Sequence, residues 1–342
     1  SGYYGKYKLL PTLVQLQSDI TSPFPPLDLM VHIGEISAAS FNDTIPAKEV
    51  WRVSEDGELR DPFKKLTTVF QMSEEMFFLH YGKDGCNRHV LIDECRELFG
   101  EIYEQIPELP FCNIWTAMQL SSRLPKGALF HMGVSNTRRC WNMFQLPESV
   151  ESACNVGCCG IDGCVSTLVG ASLVNPDRLC YVVVGDLTFF YDLNSLGNHH
   201  IGTNLRVMLV NNGRGTEFRL GIHHCNVFGD DADKYMAAAG HFGNKSPLLV
   251  KHYAEDLGFH YLSATTKEEF MTALSNFTNP QLSDHSMILE VFTDSKDESE
   301  ALYLMSHIQS DAKGMVRSKL KDAVRNVAGE KGINAIKKIL KK

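Results

Sequence analysis

Two runs, "YVVVG" (181–185) and "LRVMLV" (205–210), are apolar at every position except Arg206 and the closing Gly185. A strand with one wet face alternates apolar and polar residues, so runs like these must be covered on both faces. Parallel sheets with helices laid on either side meet that demand. Further apolar runs at 27–35, 48–56, 128–133, 152–157 and 286–292 read as strands. They alternate with helices expected at 71–82, 90–106, 110–123, after "SNTRR" (135–139), at 160–175, from Leu187, and near 231–256. Such alternation predicts α/β domains, doubly wound with mainly parallel sheets. A chain of 342 residues is too long for one small core, so two are expected. The Gly-, Lys- and Asp-rich stretch "YGKDGCNRH" (81–89) suits a linker, dividing a domain over 1–85 from one over 86–308.

The remainder, 309–342, is different in kind. From Ala312 onward ten Lys/Arg face only Asp322 and Glu330, a net +8 that leaves −16 on the rest of a chain whose formal total is −8. Its apolar positions recur at helical spacing, so it reads as one or two basic amphipathic helices. An acidic subunit surface is the expected dock, with an anionic membrane as the other reading. The acidic body lacks the basic footprint of a nucleic-acid binder. No apolar run approaches the roughly 20 residues that a membrane-spanning helix needs. The opening "SGYYGKYKLL" has neither initiator Met nor signal pattern and reads as the interior of a longer protein. Ten cysteines at irregular spacings fit reduced thiols of a cytoplasmic protein better than a disulfide framework or a zinc site.

Both apolar runs end in polar residues that a buried strand has no reason to carry, Gly185-Asp186 and Asn211-Asn212. In open α/β sheets ligands bind beyond the carboxyl ends of the strands. A carboxylate and an amide carbonyl meeting there make an all-oxygen site for a hard cation such as magnesium, which prefers phosphate oxygens for its remaining ligands. A helix beginning at Leu187-Thr188 would aim free backbone N–H groups at the same spot. The competing reading is two ordinary turns.

A Gly-Asp pair followed some 25 residues later by Asn-Asn resembles the signature of thiamine-diphosphate enzymes. "GELRDPF" (57–63), "GIDGCVSTLVGA" (160–171) and "VGDLTFFYDLNSL" (184–196) together resemble one family among them. It is 2-succinyl-5-enolpyruvyl-6-hydroxy-3-cyclohexene-1-carboxylate (SEPHCHC) synthase of menaquinone biosynthesis, over about residues 27–308. The resemblance implies the family's middle domain, then a domain with a thiamine-diphosphate-binding fold. It implies that the Asp186 and Asn212 side chains and the Arg214 carbonyl hold Mg2+. Gly160, Ile161, Gly185, Leu187, Thr188, Asn212 and Phe218 would contact thiamine diphosphate, with Ile161 as the apolar prop beneath its bent form. Ser135, Arg139 and Phe218 would contact substrate. The expected reaction is decarboxylation of 2-oxoglutarate and addition of the product to isochorismate. No catalytic residue is expected in this chain, because the activating Glu belongs to a pyrimidine-binding domain of the same or a partner chain. A homodimer or tetramer is expected, and this portion alone should be inactive.

Two departures bear on the substrate. Val156 replaces an Arg of the family that would bind a substrate carboxylate, and Glu217 stands where an apolar residue precedes Phe218. Both point toward a different oxoacid in another pathway such as surface-polysaccharide synthesis. A non-catalytic module that kept the fold is the third reading.

Overall fold

The structure, a computed structural model, describes residues 12–20, 26–33, 47–82, 90–156, 160–221, 223–231, 245–316 and 319. Two compact units emerge: Pro11–Ile106 with Ser306–Lys342, and Ser1–Leu10 with Pro107–Met305.

The first unit contains α1 (Thr12–Leu16), β1 (Leu27–Ile33), β2 (Ala47–Val53), β3 (Leu66–Phe70), α2 (Glu74–Tyr81) and α3 (Val90–Glu104). Its three strands pair in parallel in the order β1-β2-β3. Ser73 caps α2 by accepting from the Met76 N–H, the role its short hydroxyl side chain suits. Phe70 of β3 meets Phe77 and Tyr81 of α2 edge-on, with ring centroids 5.1 and 5.5 Å apart. Within "GELRDPF", Gly57 adopts φ 63°. The buried Arg52 guanidinium forks onto Asp56 at 2.8 and 3.1 Å just before it. That pairing holds the Asp56 carboxyl well below the usual carboxylate range.

The expected cut at 85/86 moves to 106/107. Helix α3 carries Cys95, Phe99 and Ile102 on one buried stripe, and it packs with α1 of its own unit. The cut at 308/309 moves to 305/306, because Ser18 N–H donates to the Ser306 carbonyl and Gln309 N–H to Gln17 Oε1. Of the basic tail, a short helical turn at 312–316 is described. The amphipathic helices expected beyond it, and the linker at 83–89, lie outside the described residues.

The second unit contains α4 (Asn113–Ser121), β4 (Leu129–Met132), α5 (Asn136–Trp141), β5 (Glu151–Cys154), α6 (Cys164–Val174), β6 (Cys180–Gly185), α7 (Asp186–Tyr191), β7 (Leu205–Asn211), α8 (Leu249–Asp256), β8 (His260–Ala264), α9 (Lys267–Phe277), β9 (Met287–Phe292) and α10 (Ser295–Ser306). Six strands run parallel in the order β5-β4-β6-β7-β9-β8.

Coverage on both faces follows from the strand alternation. Val182, Val184, Val207, Leu209 and Ile288 share one apolar cluster with Leu168 of α6 and Val250 and Ala254 of α8. Tyr181, one residue out of phase, points the other way. It packs on Phe277 of α9 at 5.5 Å and donates to its carbonyl. Each of these aliphatic side chains contributes roughly 1.5–3 kcal/mol by leaving water. The structure is α/β with parallel sheets, as expected. Strands β3 and β8 and helices α1, α9 and α10 come in addition, and α8 begins later than the helix expected near 231–256, part of which lies outside the described residues. Among the described residues no helix is long and apolar enough to cross a membrane.

Candidate active site

Chain order fixes where a site belongs in the six-stranded sheet. From β4 the chain steps outward to β5, then returns to the other side of β4 for β6 and β7. The crevice at such a reversal, beyond the carboxyl ends of β4 and β6, is the usual ligand site of open parallel sheets. Three expected site segments issue from this edge: 133–139 after β4, 185–188 after β6 and 212–218 after β7.

Strands β6 and β7 pair through Gly185↔Val210. Asp186 and Asn212 therefore follow neighbouring strand ends. Asp186 is buried, and its Oδ1 accepts the Leu187 N–H at 2.8 Å. This corrects one expectation: the Leu187 N–H is not free, and α7, at six residues, offers less dipole than a full helix. Among the described residues, a Cβ built on Gly185 meets no atom beyond its chain neighbours within 4 Å, and its φ of −78° suits any residue. Packing within the chain therefore does not require glycine there. Thr188 is buried and Leu187 half-buried.

The β7 end turns sharply at Gly213, whose φ is 77°. Asn212 Oδ1 accepts the Arg214 N–H at 3.3 Å, and the Arg214 carbonyl accepts the Thr216 N–H at 3.0 Å. The hydroxyl of Thr216 is buried without a hydrogen-bond partner. Beneath this turn lies an acid that the sequence reading passed over. Glu290 of β9 is buried, accepting from Asn211 Nδ2 and the Tyr261 hydroxyl, both at 2.7 Å. Burial raises its pKa, the two hydrogen bonds oppose that rise, and the charge of Asp186 adds to it. The available signal was a glutamate inside the apolar run "SMILEVF".

After β4, Ser135 takes φ 62°, ψ −123°. A non-glycine residue there costs about 1–3 kcal/mol and persists where the surroundings enforce it, often at functional sites. Helix α5 begins at Asn136 rather than after Arg139, so Arg139 projects from the helix itself. Its guanidinium forks onto Glu217, Nη1 to Oε2 and Nη2 to Oε1, both at 2.7 Å. Burial works to lower the Arg139 pKa, and the hydrogen bonds and negative charge of Glu217 together more than offset it, so the net direction is upward. Arg219 donates to the Gly229 carbonyl. Phe218 is half-buried, edge-on to His223 at 5.2 Å.

Gly160 and the half-buried Ile161 precede α6, which starts at Cys164, later than expected, behind Gly163 at φ 76°. Asp192 accepts the Ser166 N–H at 2.6 Å and so caps that helix. Cys164 is wholly buried in the core, which accounts for it by packing. Cys158 and Cys159 lie outside the described residues. Among the described residues no three His, Cys, Asp or Glu side chains cluster as metal ligands.

No model of a known protein family matches the chain. Individual proteins do. The chain is similar to the 2-succinyl-5-enolpyruvyl-6-hydroxy-3-cyclohexene-1-carboxylate synthase of Bacteroides fragilis, 33% identical over 263 residues, 75% of this chain and 45% of that protein. Against the synthase of Phocaeicola vulgatus the identity is 32% over 265 residues, 75% of this chain and 44% of the other. Against that of Flavobacterium psychrophilum it is 30% over 248 residues, 70% and 42%. The match spans less than half the length of these synthases. Over that span the chain is a relative of the 2-succinyl-5-enolpyruvyl-6-hydroxy-3-cyclohexene-1-carboxylate synthases.

Proposed function

We propose that this chain is the diphosphate- and metal-binding portion of a thiamine-diphosphate- and magnesium-dependent enzyme. The whole enzyme would decarboxylate a 2-oxoacid and join the remaining fragment to an acceptor, as the family resemblance implies. One observation carries the reading: buried Asp186 and half-buried Asn212 follow the ends of paired strands beside the sheet's reversal point.

The residues fit the group. Asp186, the Asn212 amide oxygen and the Arg214 carbonyl would supply the all-oxygen set that magnesium takes, with phosphate oxygens for the rest. Open space at Gly185 gives a diphosphate room to approach the backbone, and the unpartnered Thr216 hydroxyl is a polar group beside the metal loop. Leu187, Thr188, Gly160, Ile161 and Phe218 would line the cofactor, and Ser135 the substrate. When bound, thiamine diphosphate supplies the electron sink for decarboxylation. The activating glutamate would come from a pyrimidine-binding domain of the same or a partner chain, within a homodimer or tetramer.

The reading is tested by titrating thiamine diphosphate into the chain with magnesium, with EDTA, and in Asp186→Ala. Heat of binding should appear only with the metal and vanish in the variant. Equal binding in all three conditions rejects the proposed metal site. The substrate need not be 2-oxoglutarate or isochorismate: the Arg139–Glu217 fork favours the second reading, a relative acting on a different oxoacid or acceptor.

A further inference from the structure

Arg139 and Glu217 lie 78 residues apart, so their pairing is made by the fold and not by local sequence. Both guanidinium N–H groups that would grip a carboxylate already grip one, in the parallel two-bond geometry that gives an Arg–carboxylate pair its strength and direction. The side chains are 17% and 19% exposed, little enough to limit screening by solvent. Glu217 is also anchored from both sides. It sits in a short 3-10 turn, Thr216–Arg219, between the buried Thr216 and Leu220, and the Leu220 N–H donates to the Thr216 carbonyl.

We infer that Glu217 is a built-in carboxylate occupying the Arg139 fork, so that the site selects a substrate lacking the carboxylate Arg139 would otherwise bind. This rests on the functional reading above for the word substrate; the occupied fork itself does not. A dicarboxylate arriving from solution competes with a tethered one, whose effective concentration exceeds the millimolar range of flexible tethers because its backbone is already held. Displacing Glu217 also leaves its charge half-buried beside the incoming anion, a like-charge juxtaposition that disfavours the wrong partner. Val156, half-buried on the loop after β5, adds no cation. The group facing this fork is therefore neutral, and the substrate carries one carboxylate fewer than a dicarboxylic oxoacid or acceptor.

The probe is succinate, titrated calorimetrically into the full chain without cofactor. Glu217→Gln should bind it at least about tenfold more tightly than the wild type, since the charge-assisted fork is freed. The gain should disappear in the Arg139→Gln, Glu217→Gln double variant. Glu217→Asp, which keeps the charge but shortens its reach, should gain less; it serves as the test if Glu217→Gln shows no native circular dichroism. Arg139-dependent succinate binding by the wild type as tight as by Glu217→Gln overturns the inference, and so does a folded variant with no gain. Failure of the wild type to bind thiamine diphosphate overturns the functional reading alone, because the succinate comparison contains no cofactor.

Discussion

Glu298 of α10 is a carboxyl in an unusual place. It is buried, and its Oε1 accepts from the Asn113 N–H that opens α4 at 2.9 Å and from the Thr293 hydroxyl at 3.1 Å. Burial pushes its pKa up from 4.5 to about 7, against the pull of these bonds. In that interval the native state holds a proton that the unfolded chain has released. Its stabilising contribution is full below about pH 4.5 and is lost as pH rises through 7, roughly 3 kcal/mol in all. Urea melts at pH 5 and pH 8 should show a larger fall for the wild type than for Glu298→Gln, and equal falls would remove Glu298 as the source. Nothing in "SKDESEALYLMS" distinguished this acid from its neighbours, because which side of α10 is buried is decided by packing. Asp186 was legible for the opposite reason: it interrupts an apolar run, and solvation alone does not explain a charge there. Arg139 and Glu217 were each singled out, but their pairing needed the fold.

Elements were legible in proportion to their burial. The central strands β6 and β7 are buried almost throughout and stood out as unbroken apolar runs. The edge strand β8, "HYLSA", has only its last residue fully buried and reads like a loop, as a half-solvated edge does. Strand β3 was hidden by the two threonines of "LTTVF". Helix α9 did leave a signal. Thr266 precedes Glu269 by three, the spacing of a capping box, and its hydroxyl accepts the Glu269 N–H at 3.2 Å. Thr266→Ala should lower stability by about 1 kcal/mol, read as a shift in the urea midpoint with an unchanged slope. No shift would mean that the cap is redundant with the contacts of Phe270 and Phe277, both fully buried.

At the scale of the whole molecule, linker chemistry and compactness disagree about where one unit ends. Gly, Lys, Asp and Asn at 81–89 form the stronger linker by composition. Yet α3, beyond it, belongs with the unit before it, because the stripe of Cys95, Phe99 and Ile102 is buried there. A cut at 85/86 would expose that stripe, roughly 1.5–3 kcal/mol of burial for each large side chain. The Pro107–Met305 boundary leaves α3 with the first unit. The fragment 107–305 should therefore show one cooperative thermal transition and little binding of a hydrophobic dye, whereas 86–308 should bind the dye strongly and melt over a broader range. The reverse ranking would mean that α3 finds its partner in the second unit. That outcome would return the boundary to the linker that composition alone picks out.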